Sequence, residues 1–236
     1  MTGIGIWLAA AARLPRYGSR LIALVAVLVA GTAGAQNLLP NPNFNPPSTL
    51  VPWTVSVSQA PDDPAGSGTT AWAGAQDVGN SPASGSAQVQ LDAAPALARA
   101  AVGIRQCIAF ASTTVSTANY GARFKVPVTG NPGDGSVATL LEVRFFSDSA
   151  CATPIANAGG MQGRVWSAGV PDDVFWYATG DAGFILPPGT VAQSAQVRAT
   201  ATRLADGAAV TLNWFDDIFL ALNGSTPVVL QSFDVD

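Results

Sequence analysis

The sequence predicts an all-β domain, a sandwich or barrel of many short strands. Three observations carry that reading. Val137, Thr139, Leu141, Val143 and Phe145 alternate with Ala138, Leu140, Glu142, Arg144 and Phe146, the period-two signature of a strand with one buried face. Clusters of Gly, Pro, Asp and Asn, such as Gly130-Asn131-Pro132-Gly133-Asp134-Gly135 and Pro187-Pro188-Gly189, punctuate the chain with turn chemistry. No segment past residue 35 holds a long helical period; Ala93–Ala101, interrupted by Pro95, is the best short candidate.

The elements follow in order. Val51–Ser58 opens the strands, and Gln88 and Gln90 then alternate with Ala87, Val89 and Leu91. Val102–Ala111, Asn119–Val126 and the 137–146 segment come next, followed by Val174–Thr179, Ser194–Leu204 and Ala208–Leu222. Ala205-Asp206-Gly207 reads as the tip of a hairpin joining the last two long strands. Gln59–Gly85 and Ser147–Asp173 read as long loops, and such loops inside a domain of this size are usually functional or disordered. Many short strands with turns between them indicate a sandwich or barrel.

The first 35 residues supply an address. Arg13, Arg16 and Arg20 precede the apolar run Leu21–Ala30, and Ala33-Gly34-Ala35 follows. A basic region, a short apolar segment and an A-x-A site describe a secretory signal peptide over 1–35. The run is too short to span a bilayer, which needs about 20 apolar residues. Secretion or periplasmic export is expected, with no membrane span after cleavage. Three of the 11 basic residues lie in that leader and none of the 15 acids does, so residues 36–236 carry eight cations, 15 anions and a net charge of −7. A surface with one lysine, Lys125, argues against nucleic acid as a partner.

Cysteine use agrees with export. Cys107 and Cys151 are the only two, and in an oxidising compartment such a pair usually joins. Zinc would need four ligands, and the chain has neither His nor Cys-x-x-Cys.

The absence of His removes Ser-His-Asp and Cys-His catalysis. Paired-carboxylate glycoside hydrolysis remains to be weighed, but Glu142 is the sole Glu, placed mid-strand beside Arg144. Neighbours on a strand point to opposite faces, so Asp216 and Asp217 cannot act as a catalytic pair. The expectation is a protein without enzymatic activity. Asp216 shares parity with Val210, Leu212, Trp214, Ile218 and Leu220, which places a carboxylate on an apolar face. It must be paired, hydrogen-bonded or metal-bound.

The two ends of this domain carry a resemblance. Asn37-Leu38-Leu39-Pro40-Asn41-Pro42-Asn43-Phe44 with Trp53, and Trp214-Phe215-Asp216-Asp217-Ile218-Phe219-Leu220 near the finish, resemble the galactose-binding-like jelly rolls. Many carbohydrate-binding modules of secreted hydrolases belong to that group. The resemblance implies a jelly-roll β-sandwich of two antiparallel sheets over residues 36–224. The tail 225–236, with Val228-Val229-Leu230-Gln231-Ser232-Phe233, is a candidate for an extra edge strand. Gln106-Cys107-Ile108 and Val143-Arg144-Phe145 followed by Cys151 look like the family's disulfide arrangement.

In that family an aspartate at the position of Asp216 often helps to hold a structural calcium with the opening segment. Here Asn45 stands where an acid commonly follows the Phe, and backbone satisfaction of Asp216 is the competing reading. The implied partner is an extracellular glycan or a cell-envelope polymer. Trp72 and Trp166, in the two long loops, are the candidate sugar platforms, with Gln88, Gln90 and Arg144 as polar contacts. The alternative is a structural or adhesive cell-envelope protein that uses the fold without a sugar site.

Overall fold

The computed structural model describes residues 36–45, 49–56, 66–92, 100–128, 137–155, 162–168, 173–203 and 210–224, without the side chains of Val137 and residues 162–168. Ten strands run through them: β1 (Thr54–Ser56), β2 (Gly68–Ala73), β3 (Ser86–Leu91), β4 (Ala100–Thr114), β5 (Thr117–Lys125), β6 (Val137–Phe146), β7 (Gln162–Ala168), β8 (Tyr177–Ile185), β9 (Val191–Arg203) and β10 (Thr211–Leu222). They form two five-stranded sheets, β1-β4-β9-β6-β7 and β2-β3-β10-β5-β8, with antiparallel pairing throughout. The expected jelly-roll sandwich is present. The leader 1–35 and the tail 225–236 lie outside the described residues, as does nearly all of the short helical candidate Ala93–Ala101, whose last two residues belong to β4.

Alternation builds the core. Val102, Ile104 and Ile108 of β4, Leu141, Val143 and Phe145 of β6 and Val197 of β9 project inward from the first sheet. Val89 and Leu91 of β3, Tyr120 and Phe124 of β5 and Phe215 and Leu220 of β10 meet them from the second. Each large apolar side chain so buried contributes about 1.5–3 kcal/mol. Asn213 crosses the layer, its amide donating to Thr139 Oγ1 at 2.7 Å.

Three expectations need correction. β2 and β7 lie inside the stretches read as loops: Gly68, Ala71 and Ala73 gave β2 little apolar contrast, and Gly163 and Ser167 did the same for β7. The last two long strands do not form a hairpin, because β9 and β10 belong to different sheets, and the connection 204–209 lies outside the described residues. Finally, β10 does not keep one parity. Thr211, Asn213 and Phe215 are buried, then a bulge against β5 falls between Asp216 and Phe219, with Asp217 at φ +47°; past it, Ile218 and Leu220 face the core. One inserted residue exchanges the faces of the strand. Asp216, Leu212 and Trp214 therefore stand on the outer face.

The opening motif acquires a physical role beside this bulge. Asn37 acts as a substitute strand residue: its amide donates to the Ile218 carbonyl at 3.0 Å, and its Oδ1 accepts the Leu220 N–H at 3.1 Å. Leu38 N–H reaches the Leu220 carbonyl and Ile218 N–H reaches that of Pro42. Asn41, at φ +49°, donates to the carbonyls of Thr49 and Val51 and accepts the Trp53 indole N–H on its own carbonyl. Asn tolerates that left-handed conformation better than most residues. Phe44 and Trp53 then bury together, with ring centroids 5.9 Å apart.

Candidate functional site

The sequence-predicted contacts divide between two surfaces. Gln88 and Gln90 stand on the outer face of the second sheet, because Ala87, Val89 and Leu91 take the inner one. Arg144 stands on the outer face of the first sheet, paired with Gln196, since Val143 and Phe145 face the core. The sandwich lies between them, so one ligand cannot use all three. Trp166 belongs to β7, opposite Leu140; its side chain lies outside the described residues.

Trp72 is a strand residue that faces inward. Its ring packs against the core and is only partly exposed. It also lies against Gly74 and Gly85, where a Cβ would stand 2.2 and 2.7 Å from ring atoms. Its N–H donates to the Phe44 carbonyl at 2.9 Å. The residue anchors the start and end of the 74–85 loop to the opening segment.

The aromatic that accompanies the two glutamines is Trp214. Strand register sets Ala71, Gln88, Trp214 and Lys125 side by side across β2, β3, β10 and β5, with Thr69, Gln90 and Leu212 as the adjacent row. Trp214 is half-buried and donates its N–H to Gln88 Oε1 at 3.3 Å. Lys125 Nζ lies 5.8 Å from the indole centroid and donates to Gln76 Oε1 at 3.3 Å. A cation at that distance from an indole is attracted by its negative face. Gln90 extends the polar strip, donating to Asp92 Oδ1 at 3.3 Å. Sequence reasoning assigned Trp214 to the core because an uninterrupted period of two tied it to Ile218 and Leu220. The Asp216-Asp217 pair within an apolar strand is the one local sign of the bulge.

Asp216 lies next along this outer face and is 1% exposed, covered by the 74–85 loop. Val78 N–H donates to one of its oxygens at 3.0 Å and Asp217 N–H to the other at 2.8 Å. Burial pushes its carboxyl up to about 8; those two N–H groups pull down, and the Asp217 and Asp77 carboxylates push up. Asp217 is raised too, chiefly by burial, with Arg123 opposing. Asp77 organises the loop, accepting Ser81 N–H at 2.6 Å and the Ser84 hydroxyl at 2.5 Å.

Asn45, the other residue considered for calcium, is exposed. Calcium takes six to eight oxygens. Among the described residues no group of three or more acidic, His or Cys side chains is arranged to hold a metal. Asp216 and Asn45 by themselves do not fit that ion, and the contacts of Asp216 are those of a hydrogen-bonded buried acid.

Cys107 and Cys151 are joined, as the sequence argued. Glu142, the sole Glu, is fully buried against Arg198 at 3.3 Å, a position unsuited to acid–base work on a bound substrate. No helix among the described residues is long and apolar enough to cross a membrane.

No protein family and no curated protein matches the sequence. Solved structures do match in fold. One, described as the structural basis for promiscuous specificity of carbohydrate-binding modules from the β-sandwich superfamily, is 10% identical, with a TM-score of 0.50 over 80% of this chain and 63% of that one. A Stig cyclase, Fisc from Fischerella sp. TAU, in complex with an indole compound, is 14% identical, with a TM-score of 0.50 over 82% of this chain and 100% of that one. TmCBM61 in complex with β-1,4-galactotriose is 13% identical, with a TM-score of 0.48 over 80% and 99%. The chain has a β-sandwich fold of two antiparallel sheets, one that a carbohydrate-binding module and a cyclase share.

Proposed function

We propose that this chain is an exported, non-catalytic β-sandwich module that binds carbohydrate or another extracellular polymer across the outer face of its second sheet. The observation that supports this most directly is Trp214, a half-exposed indole flanked by Gln88, Gln90, Gln76 and Lys125. An indole offers an apolar plane for the C–H face of a sugar ring, and the Gln88 and Gln90 amides offer donors and acceptors for its hydroxyls, while the buried Lys125 supports the indole from beneath the surface. Neighbours of the same fold include carbohydrate-binding modules. The chain's lack of His and the burial of Glu142 favour binding over catalysis. Export rests on the leader 1–35.

The test is affinity electrophoresis of the mature domain, residues 36–236, through gels holding neutral plant and microbial polysaccharides. The proposal expects retardation by at least one polymer and at least a tenfold loss of affinity in Trp214→Ala, with Trp72→Phe binding as wild type. A folded Trp214→Ala that binds normally refutes the site. Failure to bind any glycan transfers the assignment to a structural or adhesive envelope protein.

A further inference from the structure

Strand register gathers positive charge on the other sheet. Across β1, β4, β9, β6 and β7 the Cα partners run Thr54, Arg105, Arg198, Glu142, Arg164. The neighbouring row runs Cys107, Gln196, Arg144, Gln162. The alternate positions, Ile104, Val143 and Val197 among them, face the core, so Arg105, Cys107, Glu142, Arg144, Gln196 and Arg198 belong to the outer face. Three of the eight Lys and Arg residues of 36–236, Arg105, Arg144 and the buried Arg198, stand here against one acid, in a domain of net charge −7.

Two of these arginines, Arg105 and Arg198, are direct cross-strand partners, an arrangement that repels. Glu142 takes the charge of Arg198 in their buried ion pair. Arg105 remains exposed, and among the described residues it has no ion pair. It lines a cavity of about 340 Å³ with Pro52, Thr54, Cys107, Ala150, Cys151 and Gln196. The nearby Asp148 carboxylate is taken up by the N–H groups of Ala150, Ala152 and Thr153. The cavity is firmly held, with the disulfide on one side and the β1–β4 pairing on the other.

From this juxtaposition we infer that the groove beside the disulfide is a second binding site, one that takes a carboxylate-bearing glycan such as a uronic-acid polymer. Arg105 forms the two-pronged guanidinium–carboxylate contact. Gln196 and Thr54, which line the same groove, supply amide and hydroxyl partners for ring hydroxyls. The overall acidity of the domain repels dense polyanions, so recognition is short-range. That favours a glycan with one charge per sugar over duplex nucleic acid, which carries one charge per about 1.7 Å of its axis. The site is separate from the Trp214 surface and stands or falls without it.

The probe is tetragalacturonate, titrated calorimetrically into the mature domain, with its methyl-esterified form as the neutral control. Binding of the acid form is expected, weakening as salt rises. Arg105→Gln should weaken it at least tenfold, and Arg105→Glu should abolish it. Because Arg105 is exposed, both variants should melt within a few degrees of wild type. Trp214→Ala should bind tetragalacturonate as wild type does, so loss of the neutral-glycan site cannot be mistaken for loss of this one. Equal binding of acid and ester, undiminished binding in both Arg105 variants, or no binding at all overturns the inference. So does equal competition by DNA or anionic vesicles, which would reduce the groove to a general polyanion patch.

Discussion

Replacing Cys107 and Cys151 together by Ser gives the most quantitative test of how this sandwich is held. The bridge closes a segment of 44 residues, which carries β5 and β6. In the chain-entropy account, removing a cross-link of that span costs about 4 kcal/mol, through the freedom restored to the unfolded chain. Lost packing adds little, because Cys107 is exposed and Cys151 is only partly buried. For a domain of this size about 4 kcal/mol lowers Tm by roughly 8–16 °C. The assay is calorimetric melting of oxidised wild type, reduced wild type and the double variant, with urea titration to check that the m-value holds. The two disulfide-free samples should melt together and well below the oxidised one. A fall of less than about 3 °C would refute the reasoning: the 107–151 segment would then be confined in the unfolded state without its bridge. Uneven losses in the two disulfide-free samples would point to packing at the sulfurs.

Phe215→Ala removes a fully buried ring at the centre of β10 and should cost about 3–5 kcal/mol by urea unfolding. Gly103→Ala would set a Cβ 2.2 Å from the Ala199 carbonyl across β4 and β9; overpacking of about 1–3 kcal/mol is expected, and a wild-type melt would show that the strands can part there. Asp216 should make stability fall with rising pH. Its native pKa of about 8 exceeds the ordinary 3.8, so the unfolded chain releases this proton first and stability declines from about pH 4 to pH 8; Asp216→Asn should flatten that slope in a series of melts. Chelator should leave Tm unchanged, and a fall would restore the calcium site. Asp148 acts in the opposite sense: its backbone donors, Ala152 N–H foremost, hold its carboxyl down to about 2, so the 148–153 loop should keep its order at pH 4 and lose it as pH falls through about 2, read by amide NMR shifts in wild type and absent in Asp148→Ala.

How much was legible in the chain depends on how local the signal is. Period two in 137–146 and 87–91 and the turn at Pro187-Pro188-Gly189 belong to short stretches of chain and hold in three dimensions, as does the pairing of the two cysteines. The motifs at the two ends were visible, although their purpose was not. Only the fold shows Asn37 pairing with Ile218 and Leu220 across 181 and 183 residues of sequence. Strands poor in apolar contrast, β2 and β7, leave no periodic trace and read as loops.

The site depended on register. Gln88 and Gln90 were found by alternation, yet their aromatic neighbour was missed, because a single bulge at Asp216-Asp217 turns Trp214 outward and Ile218 inward. Arg144 was singled out without its neighbours: Arg105 lies 39 positions earlier and Gln196 52 later, joined to it only by the β4-β9-β6 ladder. Sequence by itself determined the all-β class, the disulfide and the charge balance, because composition and period need no partner. Tertiary structure alone decided which face each side chain takes and which distant strands lie side by side. Those follow from a bulge and a pairing order that hydrogen bonds between remote segments impose.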